Sequence, residues 1–283
     1  MFVDFSSRPP VPEMAGHAEH LANYRRVYQR TESEVKAKAS DDPLQAYLDT
    51  YERLNATAVV LKARDLTSTF GFKIANEDVA KFCATHGSRY IGFAGVDPHR
   101  GPDAVREFEA AVRDLGLRGL NLQCFEHRLA IDDPLLYPLY AKCVELGVPV
   151  NIHCGVNFST KTSMSYGHPL ALDRVMCVFP ELRVCASPPG WPWVNELLAV
   201  AWRHPNVWIG TLAIRPRLLE TPHSGYEPLL QYGRTVLKNK MIFGSAFPMM
   251  PVEDALTEFQ KLEMPEAIRA RWLEGNAKEF LGL

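Results

Sequence analysis

The sequence predicts an α/β protein built as a single (β/α)8 TIM barrel. Three observations carry this. About eight short apolar or β-branched stretches are spread along the chain, and each is followed by a segment with apolar residues at helical spacing. No glycine-rich phosphate fingerprint follows the first stretch, which removes the usual sign of an open dinucleotide-binding sheet. The chain has 283 residues and shows no linker or low-complexity segment, so one barrel domain over 1–283 is expected.

The elements follow in order. Residues 2–5 form a short strand that runs into Ser6, Ser7, Arg8 and a proline-rich turn. Residues 13–40 are polar and helix-prone, and they read as a lid-like insertion after strand one. Asp41 or Asp42 caps a helix to Leu54. The second strand, 57–61, ends at Lys62, Arg64 and Asp65. Asn76 is expected to cap the next helix. Strand three, 90–96, is closed by Asp97, Pro98 and His99, and the amphipathic helix after it stops at Gly116. Strand four, 117–122, leads to Gln123, Glu126 and His127. A helix ending at Gly147 precedes the fifth strand, VPVNIHCG, which ends at His153. Strand six, 182–186, meets Ser187 and the turn PPGWPW. Strand seven is 207–211. Strand eight, 241–244, ends at Ser245, Ala246 and Phe247. Two helices, 252–261 and 265–281, close the chain.

Composition excludes several functions. A net charge of −2 gives no reason to expect nucleic acid or an anionic membrane as partner. No apolar run approaches membrane-spanning length, and the N-terminus lacks a basic region followed by a long apolar stretch, so no secretory signal is expected. The cysteines, Cys83, Cys124, Cys143, Cys154, Cys177 and Cys185, are scattered through strand and helix patterns. They read as reduced thiols of a cytoplasmic protein.

Chemistry in a parallel α/β fold sits at the C-terminal ends of the strands. The segments found there, VDFSSRPP, GVPVNIHCG, FPELRVCASPPGWPW and MIFGSAFP, with the terminal EGNAKEFLGL, occur in an order that resembles the amidohydrolase superfamily. The branch is the one typified by aminocarboxymuconate-semialdehyde decarboxylase and related aromatic-acid decarboxylases and hydrolases. That resemblance implies a divalent metal at the barrel mouth, held by an Asp-x-His-x-His on strand one, a His from each of strands five and six, and an Asp from strand eight. Here Asp4 stands as the resemblance implies, but the ligand positions hold Ser6, Arg8, His153, Ser187 and Ala246. A catalytic zinc site needs about three converging protein ligands. One imidazole does not provide them, so no metal and no other cofactor is expected. A relocated Cys/His site is the third reading. Strand alternation turns Cys154 toward the helices and sets Cys185 one layer below Ser187.

The strand-end residues therefore carry the functional expectation. His153 is the candidate proton carrier, or else a relic satisfied by its neighbours. Arg8 offers a forked donor for a carboxylate, or a structural ion pair with Asp4. Lys62 is a second candidate cation. Glu126 borders the mouth, and Ser6, Ser187 and Ser245 are candidate donors lining the pocket. Trp191 is expected as its aromatic wall, or as packing for its own turn. None of the serines lies in a GxSxG elbow, so none reads as a nucleophile. The leading expectation is a metal-independent hydrolase or decarboxylase acting on a small carboxylated, aromatic or unsaturated molecule. The rival is a non-catalytic ligand-binding member, or a subunit pairing with an active paralogue. The resemblance also implies pairing, as a homodimer or with a related barrel.

Overall fold

Barrel strands here are short because each contributes only a few fully buried residues between lumen and helices. In order they are β1 (Phe2–Ser7), β2 (Ala56–Lys62), β3 (Tyr90–Phe93), β4 (Leu120–Leu122), β5 (Val150–His153), β6 (Val184–Ser187), β7 (Val207–Thr211) and β8 (Met241–Phe243). This computed structural model describes residues 1–17, 22, 23, 26, 27 and 40–283. The expected lid, 13–40, therefore lies mostly outside the described residues.

All eight strands run parallel in sequence order. β1, β2 and β3 form one arc and β4 to β8 the other. Single parallel bridges, Ser7 to Phe247 and Ala94 to Leu120, join the two arcs and close the barrel. Among the described residues, closure gives every barrel strand a neighbour on both sides. A small antiparallel hairpin, Arg64–Leu66 with Phe72–Ile74, follows β2 and stands beside the mouth.

The helices alternate with the strands: α1 (Pro43–Arg53), α2 (Asn76–His86), α3 (Pro102–Arg113), α4 (Tyr137–Leu146), α5 (Pro169–Val178), α6 (Val194–Arg203), α7 (Glu227–Gly233) and α8 (Val252–Gln260). Local signals explain most of their limits. Asp42 accepts the Gln45 amide at 3.0 Å and starts α1. α3 buries Ala104, Phe108 and Ala111, four and three residues apart, on one stripe. α4 ends at Gly147, whose φ of 65° is the left-handed stop expected there.

Two expectations are corrected. Asn76 is the first residue of α2 rather than its cap, because its side chain is buried and accepts the Gly95 amide at 2.9 Å. The segment after α8 is not one uniform helix. It runs as α9 (Glu266–Ala270), a π-helical turn (Arg271–Gly275) and α10 (Asn276–Leu281). The wide turn carries Trp272, which is fully buried and donates to the Gly233 carbonyl at 2.9 Å.

Two apolar clusters result. The larger fills the space between strands and helices and includes Cys154. The smaller occupies the lumen and contains Val3, Phe5, Ala58, Val60, Ile91, Phe93, Cys185, Trp208, Leu212 and Ile242. Phe280 of α10 packs edge-on against Phe5 and Trp208 at 5.4 and 5.3 Å. The parity expected for Cys154 and Cys185 holds. Apolar side chains fill the lower lumen, so any ligand space must lie above them, at the strand ends.

Candidate functional site

Inward-facing residues alternate along each strand, and that parity selects the site. On β2 the positions Ala58 and Val60 belong to the lumen, so Lys62 follows them inward at the mouth. On β5 the equivalent pair is Asn151 and His153, and on β6 it is Cys185 and Ser187. β1 departs from regular pairing between Asp4 and Ser7, and there Ser6, Ser7 and Arg8 swing to the rim.

These side chains bound a cavity of about 130 Å³. Its lining includes Ser6, Arg8, Lys62, His153 and Ser187, all anticipated, together with Arg64, Gln123, Phe125, Asn151, Asn157, Ala246 and Phe247. Three cationic side chains, Arg8, Lys62 and Arg64, face it, and among the described residues no carboxylate does. Asn23, the described part of the expected insertion, also reaches the lining, and Arg26 donates to the Phe158 carbonyl at 3.1 Å.

The floor is a chain of amides. Ser187 Oγ donates to Asn151 Oδ1 at 2.7 Å, and Asn151 Nδ2 donates to Asn121 Oδ1 at 2.9 Å. Gln123 Nε2 donates to the same oxygen at 3.1 Å, and Asn121 Nδ2 donates to the Ala63 carbonyl at 3.0 Å. A buried network of this kind fixes rotamers because each broken bond would leave a desolvated polar group. No pocket role is expected from the sequence for Asn121 or Asn151, and Gln123 is marked there only as the residue after strand four. The available signal was a single asparagine inside each of two apolar strands, on the inward parity.

His153 is buried, with its ring centroid 4.4 Å from that of Phe125. Lys62 Nζ sits over the Phe5 ring, 4.6 Å from its centroid. Burial pulls its pKa down to about 7. Arg64 adds to the effect, and Cys185 and Asp4 oppose it.

Three anticipated residues stand apart from the cavity. Ser245 is fully buried and bonds to Asp4 rather than facing the mouth. Glu126 turns into a side recess with His17, Leu66 and Phe70, where Arg64 Nη1 meets it at 3.2 Å. Trp191 is 38% exposed on the outside of its turn, and its carbonyl accepts the Val156 amide at 2.7 Å. The Arg8–Asp4 pair is also replaced: Asp4 is engaged by Ser245, by the Ser6 amide at 3.2 Å and by the Tyr51 hydroxyl at 2.7 Å. Asp97 caps its turn through the His99 amide, and His99 Nε2 contacts the His127 carbonyl at 2.7 Å, so this pair is architectural.

The donor set does not fit a metal at the mouth. Of the positions where the resemblance implies ligands, Ser6, Arg8, Ser187 and Ala246 offer no imidazole, thiolate or carboxylate, and only His153 does. Among the described residues, one trio of His, Cys and Asp converges closely enough to hold an ion. It is Asp173, Cys177 and His204, between α5 and the end of α6, and there Arg203 pairs with Asp173 at 3.0 Å.

Comparison with known proteins agrees with this architecture. A family model described as "Amidohydrolase" matches residues 14–283. The 2-amino-3-carboxymuconate-6-semialdehyde decarboxylase of Dictyostelium discoideum is 25% identical over 237 residues, covering 74% of this chain and 65% of that protein, a little under two thirds of its length. The γ-resorcylate decarboxylase of Rhizobium radiobacter is 23% identical over 246 residues, covering 74% of this chain and 75% of that protein. Among solved structures, an uncharacterised TIM-barrel protein from Bordetella bronchiseptica superposes with a TM-score of 0.80 at 27% identity, covering 99% of this chain and 98% of its own. A manganese-bound dihydroxybenzoic acid decarboxylase from Polaromonas shares the fold, with a TM-score of 0.69 at 16% identity over 100% of this chain and 97% of its own. With the family model spanning residues 14–283, nearly the whole chain, this chain belongs to the amidohydrolase family.

Proposed function

We propose that this chain is a metal-independent decarboxylase of a small aromatic or unsaturated carboxylate. The observation that carries the reading is the cavity wall: Arg8, Lys62 and Arg64 around one small space, with no carboxylate among the described lining. Such a wall favours an anion and stabilises negative charge developing on it. Arg8 anchors a carboxylate through its forked guanidinium. His153, at the end of β5, delivers the proton that replaces the departing CO2 on carbon. Ser6, Ser187 and the Asn151 network orient the ring. The names of the Dictyostelium and Rhizobium relatives, both decarboxylases, support this chemistry over hydrolysis. Metal independence rests on the donor set at the mouth, and arginine takes over the role of charge neutralisation. The free cysteines support a cytoplasmic setting.

The test is a panel of hydroxybenzoates and unsaturated dicarboxylates, followed by CO2 release, with protein dialysed against a strong chelator. Turnover that survives chelation is expected. Activity lost on chelation and restored by one equivalent of a divalent metal would overturn the metal-free reading.

A further inference from the structure

The lysine at the mouth differs from Lys73 and Lys142, which pair with carboxylates. Lys73 bridges Asp65 and Glu107, and Lys142 bridges Glu109 and Glu145. Lys62 has no carboxylate and no hydrogen-bond acceptor among the described residues. Its Nζ rests on the Phe5 ring and opens into the cavity. A cation held this way is a poor anchor and a good amine. We propose that Lys62 is a nucleophile that forms an imine with the carbonyl carbon of a carbonyl-bearing carboxylate held in the cavity.

The surroundings suit that chemistry. The charged and titratable groups acting on Lys62 are Asp4 of β1, Arg64 beyond β2 and Cys185 of β6, and Arg8 and His153 share the cavity lining with it. Burial pushes the Cys185 thiol up to about 12, so it stays protonated and gives Lys62 no counter-ion. Asp4 is committed to Ser245 and Tyr51. Burial and the neighbouring Arg64 lower Lys62 to about 7, which leaves about half of it as free amine at neutral pH.

The step balances with water as the only co-reactant. The Nζ lone pair forms a bond to the carbonyl carbon, an amine proton passes to the oxygen, and the carbinolamine loses water to give the imine. In its protonated form the imine accepts an electron pair. Where the carboxylate lies β to the carbonyl, the pair of the breaking carbon–carbon bond moves into it and CO2 leaves. The resulting enamine takes a proton on carbon, and water hydrolyses the imine to free Lys62. The inference rests on the carboxylate-binding reading above and narrows it to carboxylates that also bear a ketone or aldehyde.

The probe is 4-formylbenzoate with sodium cyanoborohydride at pH 7 on the full chain, with peptide mapping by mass spectrometry and a parallel thermal-shift titration with benzoate. Expected is a reduced secondary-amine adduct at Lys62, enriched at least about tenfold over any other lysine because surface amines are nearly all protonated at that pH. It should be suppressed by excess benzoate and absent in Lys62→Met. Labelling spread over surface lysines while benzoate still stabilises the protein would overturn the imine and leave the carboxylate site standing. No benzoate shift and no enrichment at Lys62 would overturn both. The wild-type map decides the matter even if Lys62→Met does not fold.

Discussion

Ser245 holds Asp4 from two atoms. Its backbone N–H donates to Oδ1 at 2.8 Å and its hydroxyl to Oδ2 at 2.5 Å. The two residues are 241 positions apart in sequence, yet they join the first strand to the last. Tyr51 of α1 completes the clamp, and Ser7 and Tyr47 extend it, with Ser7 Oγ 2.8 Å from Tyr51 and 2.9 Å from Tyr47. Burial pushes the Asp4 carboxyl above the ordinary carboxylate range, and these donors pull it part of the way back.

Breaking this clamp should loosen the barrel seam. Ser245→Ala removes the hydroxyl donor and leaves a buried carboxylate oxygen underserved, which costs about 1–3 kcal/mol. Urea unfolding followed by circular dichroism should show a lower midpoint with an unchanged slope. An unchanged midpoint would mean that the seam does not depend on this contact.

Arg8 is the proposed carboxylate anchor. Arg8→Met should weaken binding of an aromatic acid by about 1.5–3 kcal/mol, the range for a hydrogen bond to a charged group. Isothermal titration of wild type and variant against one ligand measures it. Equal affinities would remove Arg8 from the site.

His153 is the proposed proton donor to carbon. His153→Asn keeps the size of the side chain but does not titrate near neutrality, and turnover should fall by about a hundredfold or more. The limb of the pH–rate profile that belongs to the imidazole should vanish with it. Wild-type turnover in the variant would leave His153 a relic of the family pattern.

Lys62 makes stability depend on pH in a defined direction. The unfolded lysine titrates at its ordinary value of 10.5 and the folded one at about 7. Between these values the unfolded chain holds more protons, so stability rises with pH across that window and this group contributes no slope below it. Lys62→Met should therefore stabilise the protein at pH 6–7, by roughly 1–3 kcal/mol. That is less than the whole shift implies, because the side chain keeps some contact with the cavity. The gain should shrink as pH approaches 10. Melting temperatures of both proteins across pH 6–10 test it, and a constant difference would exclude a desolvated lysine.

The barrel is legible in the residues alone, because eight buried apolar runs separated by amphipathic helices have few other ways to bury both faces. The sequence also places Arg8, Lys62, Ser6, His153 and Ser187 at strand ends, where parity and position are local properties. The lining of the cavity contains all five. Which strand-end residues face the space and which serve the wall depends on how the strands are placed around the barrel. Ser245 and Ser187 look alike in sequence. One bonds to Asp4 across the seam and the other to Asn151 on the cavity floor, because β8 closes against β1 while β6 lies between β5 and β7. Trp191, a candidate for the pocket wall or for packing its own turn, is 38% exposed and stands outside the cavity lining. The character of Lys62 was equally hidden. A lysine after an apolar strand reads as a cation, and it takes burial at the mouth, a cation nearby and the absence of an acid partner among the described residues to make it an amine. Such properties depend on residues brought together from different strands, and no local pattern encodes their convergence.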